Sequence, residues 1–221
     1  MIRFENVTFG YGLRPPVVRE LTLTVPEGGR LCLTGASGQG KTTVLRLLLG
    51  LEKPRRGTVT VPDGTRFSAV FQEDRLLPWK TALENVALFS DGDTAGRLLA
   101  QLGLAQQDSA LMPAALSGGM KRRVALARAL AHPFDVLVLD EALTGLDSET
   151  KARCLSVIHE TVGGRTLVMA SHDPAEAAAW WGATPGGNFE GRNILHGSLE
   201  RPPEVEAARR QLFEQRSTRV R

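Results

Sequence analysis

The chain has 221 residues, of which 42% are hydrophobic and 23% charged, a composition that suits one large domain or a domain carrying a subdomain. Its formal net charge of +3 is too small on its own to argue for a nucleic-acid partner. Its longest apolar runs fall far below the roughly 20 residues that span a bilayer, and its first six residues lack the pattern of a signal peptide, so work at a membrane would require docking onto another chain. Cys32 and Cys154 lie far apart with neither metal-binding nor disulfide spacing, which fits a reducing compartment.

Residues 2–9 alternate apolar and polar side chains with period two, and residues 19–25 do so again. Two half-buried antiparallel strands are expected there, separated by the break Gly10-Tyr11-Gly12. Tyr11 is the sole tyrosine. It is either a ring that lies on an adenine or a partly buried loop aromatic, and spacing alone leaves both open.

Residues 30–34 read as a buried strand and residues 43–49 as a helix. Between them stands Gly35-Ala36-Ser37-Gly38-Gln39-Gly40-Lys41-Thr42, the pattern G-x-x-x-x-G-K-[ST]. Strand, loop and helix in that order mark a phosphate-binding loop. Gly35, Gly38 and Gly40 let the backbone curl, so that the N–H groups from Gly35 through Ser37 to Thr43 can face one anion. The new helix adds its positive end. Lys41 would reach the β- and γ-phosphates, and Thr42 would hold Mg²⁺.

Residues 58–61 and 67–71 are expected as short strands, the second leading into Gln72. From 73 to about 130 helical patterns dominate, at 81–87, 94–102 and 119–131. Ser117, Gly118 and Gly119 open the last of these. A helix start of that composition can hold an anion, yet a serine N-cap with a loose turn is the simpler reading of these residues alone. Residues 134–141 form a buried strand ending in two acids. Asp140 would hold Mg²⁺ directly or through water, and Glu141 would polarise an attacking water as general base. Residues 148–162 read as an amphipathic helix and 166–171 as a buried strand closed by His172, which is placed to contact a γ-phosphate or its attacking water. Further on, 182–193 looks loop-like, 193–197 strand-like and 204–215 helical, with Val205, Ala208 and Leu212 on one face. Arg216, Arg219 and Arg221 read as a frayed basic tail. The alternation of strands and helices after an early phosphate loop argues an α/β fold with a mainly parallel sheet, an antiparallel N-terminal β part and an inserted helical subdomain.

These pieces, in this order, resemble the nucleotide-binding subunit of an ATP-binding cassette (ABC) transporter over roughly residues 1–180. The deciding stretch is Leu116-Ser117-Gly118-Gly119-Met120-Lys121-Arg122-Arg123-Val124-Ala125, which looks like the family's signature, followed at a short interval by Val138-Leu139-Asp140-Glu141. Gln72 matches the family's glutamine loop, His172 its switch histidine, Asp147 its D-loop and Tyr11 its adenine-stacking loop. The resemblance implies a P-loop NTPase (RecA-like) fold in a single domain over 1–221. Residues 1–72 and 131–221 would be its core and 73–130 its helical subdomain. It implies ATP and Mg²⁺ as ligands, with Gln72 joining Thr42 and Asp140 at the metal. Two subunits would close around two ATP molecules, so that Ser117, Gly118 and Gly119 of one complete the γ-phosphate site of the other. That reverses the simple capping reading of Ser117.

A finer likeness is Phe71-Gln72-Glu73-Asp74-Arg75-Leu76-Leu77-Pro78-Trp79, which is similar to importer ATPases for nitrate, sulfonates, taurine and related solutes. It implies transmembrane permease subunits docked near Leu76-Leu77-Pro78-Trp79, a solute-binding protein, and a peripheral place on the cytoplasmic face of the cell membrane. Three residues depart from the family. Ala142 replaces a common proline, Gln39 a smaller residue, and Arg122 a usual glutamine, where it could alter the ATP-closed interface. Residues 62–69 are also short for the family. The competing expectations are an exporter ATPase and a soluble cassette ATPase of assembly or repair. The latter usually carries tandem cassettes or long inserts that this chain lacks.

Overall fold

The computed structural model describes residues 1–172, and among these residues two sheets organise the fold. Strands β1 (Ile2–Phe9), β2 (Val18–Val25), β3 (Arg30–Thr34), β4 (Arg56–Thr60), β5 (Phe67–Val70), β6 (Val136–Asp140) and β7 (Thr166–Ser171) alternate with helices α1 (Lys41–Leu48), α2 (Ala82–Val86), α3 (Gly92–Gln101), α4 (Gly118–Ala131) and α5 (Ser148–Val162). One sheet has the order β2-β1-β4 and is antiparallel; the other has the order β3-β7-β6-β5 and is parallel.

The expected pairing of the first two strands is present, with one addition. β1 buries Ile2 and Phe4, then Val7 and Phe9, so its period slips by one residue. Phe4 pairs with Leu23 and Val7 with Leu21, which leaves one extra residue in β1. Asn6 absorbs it as a bulge with φ of 50°, a conformation asparagine tolerates better than most residues. The bulge returns the apolar side chains to the same face. β4 was expected only as a short strand; here it pairs along the other edge of β1, with Phe4 opposite Val59.

Every residue of β6 and β7 is buried, which is why their sequences show no alternation. Val138, Val168 and Ala170 face α1 and the antiparallel sheet, beside Leu45, Leu48 and Phe4. Leu137, Leu139, Leu167 and Met169 face the other way, onto α4, α5 and the helices before them. The helical stretch shares this second core. Leu99, Leu102 and Leu126 belong to the same apolar cluster as Leu137 and Ile158.

Local caps set the helix starts. Thr81 and Glu84 form a reciprocal capping box on α2. Asp91 accepts from the Thr94 N–H at 2.7 Å, so α3 begins two residues before the expected 94. Two short 3-10 segments, Gln106–Ala110 and Pro113–Ala115, lie between α3 and α4, where apolar spacing had indicated no element. The features expected at 182–193, 193–197 and 204–215, with Arg216, Arg219 and Arg221, lie outside the described residues.

Candidate functional site

β3, β7 and β6 are parallel neighbours, so their C-terminal ends meet at one edge of the sheet. Register decides what meets. Thr34 pairs with Ser171, and Asp140 with Ala170. The next residue on each strand is Gly35, His172 or Glu141. Three segments far apart in the chain thus deliver a phosphate-type loop, a carboxylate pair and an imidazole to one place.

The loop has the curl the sequence implies. Gly35, Gly38 and Gly40 have φ of 146°, 80° and 96°, the left-handed side that side chains resist. A Cβ on Gly40 would also stand 2.9 Å from a methyl of Val17, and one on Gly35 would overlap the Gln39 side-chain oxygen. Gly40 offers α1 no side-chain cap, and the first turn of α1 holds no acid. The positive helix end therefore stays open toward the loop. Lys41 is buried, and its Nζ donates to the Gly35 carbonyl at 2.7 Å and the Ala36 carbonyl at 3.1 Å.

Glu141 sits between two basic groups. Its Oε1 lies 4.0 Å from Lys41 Nζ and 3.5 Å from His172 Nδ1. Its backbone holds a left-handed φ of 51°, a cost of roughly 1–3 kcal/mol for a residue with a side chain. The Glu141 N–H donates to Ala170 O at 3.0 Å, and the Thr144 N–H donates to Glu141 O at 3.1 Å. These bonds keep the strained turn in place and aim the carboxylate at the loop.

Asp140 is 2% exposed, and neither of its carboxylate oxygens has a hydrogen-bond partner of acceptable geometry. Burial pushes its carboxyl above the usual range. The nearby Thr42 hydroxyl works against that rise, the Glu141 charge adds to it, and Lys41 and Arg46 oppose it. A buried carboxylate without protein partners, beside a hydroxyl, suits a hard divalent cation. Among the described residues no group of three or more His, Cys, Asp or Glu could hold a metal by itself. A cation here would complete its shell with phosphate oxygens and water, as Mg²⁺ does.

Tyr11 is tied to this region. Its hydroxyl is 3.3 Å from Thr43 Oγ1 in α1, and its ring meets Phe9 edge-on at 5.0 Å. Arg55 holds the loop that follows by donating to the carbonyls of Gly12 and Arg14. Gln72 is exposed just beyond β5, the strand next to β6. Its carbonyl accepts from Arg122 at 2.7 Å.

The remaining candidates do not gather at the loop of their own chain. Ser117 caps α4, accepting from the Met120 N–H at 3.2 Å. Ser117 and Gly118 are exposed, and a Cβ on Gly119 would lie 3.3 Å from the Leu146 side chain. Asp147 caps α5 through the Thr150 N–H at 2.9 Å and the Thr150 hydroxyl at 2.7 Å, and these bonds lower its pKa. The capping reading of Ser117 holds within this chain, and its glycine face is open to solvent.

A sequence model of the ABC transporter family matches residues 18–144, more than half of the chain. The chain belongs to the ABC transporter family. This family member is 42% identical over 174 residues to the aliphatic sulfonates import ATP-binding protein SsuB 3 of Pseudomonas syringae pv. syringae, covering 74% of this chain and 64% of that protein. It is 44% identical over 176 residues to the aliphatic sulfonates import ATP-binding protein SsuB of Escherichia coli, covering 74% of this chain and 68% of that protein. The match thus spans about two thirds of the length of these curated relatives. Among solved structures, a dimeric post-hydrolysis state of the ATP-binding cassette MJ0796 bound to ADP and Pi has a TM-score of 0.73 at 28% identity, covering 81% of this chain and 91% of that one. An ATP-bound bacterial Atm1-family ABC exporter has a TM-score of 0.70 at 30% identity, covering 80% of this chain and 35% of that one.

The loop, the acids and the histidine that meet at this sheet edge were all named from the sequence, but what holds Gln72 was not. Arg122 was legible only as a departure from the family pattern. Nothing in a helix with four basic residues and no acid says which arginine turns inward.

Proposed function

We propose that this chain is the ATP-binding and ATP-hydrolysing subunit of an ABC importer that couples ATP-driven closure of two subunits to passage of a sulfonate-type solute through separate permease subunits. The observation that carries the reading is the meeting of the Gly35 loop, the partnerless Asp140 and the Lys41–Glu141–His172 cluster at one sheet edge. Import and the solute class are supported by the printed names of the relatives.

In this reading the N–H groups of Gly35, Ser37, Gly38, Gly40, Lys41, Thr42 and Thr43 receive the phosphates, and Tyr11 stacks on adenine. Lys41 Nζ exchanges two loop carbonyls for β- and γ-phosphate oxygens, which also draws its charge away from Glu141. Thr42, Asp140 and Gln72 hold Mg²⁺, whose chemistry is to neutralise phosphate charge. Glu141 Oε1 takes the proton of the attacking water, which displaces ADP from the γ-phosphorus. His172 steadies that water and the γ-phosphate from the neighbouring strand. Ser117, Gly118, Gly119 and Asp147 act on a second copy of the chain, because their exposed face suits a ligand presented from outside. Residues 73–130 then work as a helical subdomain against a core to which the described residues 1–72 and 131–172 contribute; the rest of the expected core segment, to residue 221, lies outside the described residues.

Trp79 is 69% exposed, Leu88 42% and Phe89 48%, apolar side chains that suit contact with a permease helix. No helix among the described residues is long and apolar enough to cross a membrane. In this reading, which follows the import ATP-binding relatives, the subunit is peripheral at the cytoplasmic face, with a solute-binding protein supplying cargo on the other side.

The test is co-expression of the full chain with the permease encoded beside it, in parent and Glu141→Gln forms. The parent should hydrolyse ATP in a permease-dependent way. Glu141→Gln should bind ATP, lose turnover by at least about 10² and elute as a dimer with ATP. Parent-like hydrolysis by Glu141→Gln would refute the base assignment, and failure to join any such permease would refute the transport reading.

A further inference from the structure

Arg122 lies in α4, at the position where a glutamine is usual, and its side chain is only 13% exposed. Its contacts all run to the segment that leaves β5. Nη1 donates to Phe71 O at 2.9 Å, and Nη2 donates to Gln72 O at 2.7 Å. Nη1 also stands 3.1 Å from Asp74 Oδ1. Further along α4, Arg128 donates to Asp74 O at 3.0 Å and to Arg75 O at 2.9 Å. The carbonyls of Phe71, Gln72, Asp74 and Arg75 therefore face α4, and Arg75 takes a left-handed φ of 46° where the chain bends away. Burial raises the pKa of Asp74, while Arg122, Lys121 and Arg128 pull it back.

We propose that Arg122 is a positioning residue that fastens the backbone of Gln72 to the helix beginning at Ser117, so that Gln72 and the Ser117–Gly119 face move as one body. The inference rests on the reading of Gln72 as a ligand of Mg²⁺ and the attacking water. The chemistry is specific to arginine. Its planar guanidinium presents five donors in a fixed fork and can serve two carbonyls and a carboxylate together. A glutamine side chain has one amide nitrogen and no charge, so it can hold at most part of this set. The expectation that Arg122 could alter the ATP-closed interface gains a route, because the side chain turns inward onto the Gln72 segment. Arg122 acts on that interface through the loop it grips.

The experiment uses the full chain co-expressed with the permease as in the test above, as parent and four variants: Arg122→Gln, Arg122→Lys, Gln72→Ala, and Gln72→Ala combined with Arg122→Gln. Steady-state ATPase is measured against ATP and against free Mg²⁺. Arg122→Gln should lower kcat about tenfold, leave KM for ATP within about twofold, and raise the Mg²⁺ concentration for half-maximal rate several-fold. In the Gln72→Ala background it should cost nothing further, because its effect passes through Gln72. A second full loss in that background, or a rise in KM at unchanged kcat, overturns the proposal.

A second arm needs no turnover. Trypsin cleavage after Arg75, read by mass spectrometry of the 1–75 fragment, should speed up about tenfold in Arg122→Gln and stay unchanged in Gln72→Ala. Unchanged cleavage in Arg122→Gln overturns the clamp. A parent without ATPase activity would defeat the ATPase reading and the catalytic consequence together, while this arm still decides the clamp. Arg122→Lys keeps the charge beside Asp74 but not the fork, and it shows the same pattern if Arg122→Gln fails to fold.

Discussion

Asp140→Asn should make the ligand-free protein more stable and at the same time disable it. Asp140 is buried, its two oxygens lack partners, and burial is the largest cause of its raised pKa. Asparagine keeps the shape and removes the charge. A buried polar group left unsatisfied costs about 1–3 kcal/mol, and a charged one more. The asparagine amide would still be poorly paired, so the net gain is about 1–2 kcal/mol. In a chain of this size that is an increase in Tm of about 2–8 °C. The sign with pH follows from the raised value. The folded state binds the proton more tightly than the unfolded state, so the penalty is full above the raised folded pKa and vanishes below the ordinary 3.8. The gain from Asp140→Asn should therefore be seen near neutral pH and shrink toward about pH 4. Scanning calorimetry at both pH values reads the gain, and titration calorimetry of ATP with and without Mg²⁺ reads the function. Mg²⁺ should no longer strengthen ATP binding. A lower Tm near neutral pH, a gain independent of pH, or a preserved Mg²⁺ response would refute the reasoning.

Lys41→Ala removes a charged donor, and ATP affinity by titration calorimetry should fall about ten- to hundredfold; ATP binding at the parent level would mean Lys41 is not the phosphate lysine. Tyr11→Ala should weaken ATP about five- to hundredfold, the worth of one base–aromatic stack, with the far-UV circular dichroism unchanged. Asp135, gripped by the Arg66 side chain and backbone N–H, has its pKa lowered from 3.8 to about 2. Its contribution is present above 3.8 and lost as pH falls to about 2. Parent and Asp135→Asn should therefore differ in urea midpoint near neutral pH and converge in acid. A constant difference would mean the ion pair is not its source.

The phosphate loop was legible because everything it needs is contiguous: a buried strand, three glycines that set backbone curvature, a lysine and a helix start. The buried strands at Val136–Asp140 and Thr166–Ser171 were legible for the same reason, as short apolar runs ending in polar residues. The bulge at Asn6 was written in the sequence as a one-residue slip of the apolar pattern, but an alternating pattern read loosely hides it. The 3-10 segments between α3 and α4 bury almost nothing through their own period, so no spacing announced them.

The sequence by itself determined the parts: the loop chemistry, the acids and histidine at strand ends, the Ser117 cap, and the family. Local dihedral preference and side-chain chemistry carry that information within a few neighbouring residues. Only the tertiary structure decided how the parts act on one another. Strand register set Gly35, Glu141 and His172 side by side, burial stripped Asp140 of partners, and α4 turned Arg122 inward onto Gln72. These are outcomes of pairing and desolvation between distant segments, which no local pattern encodes.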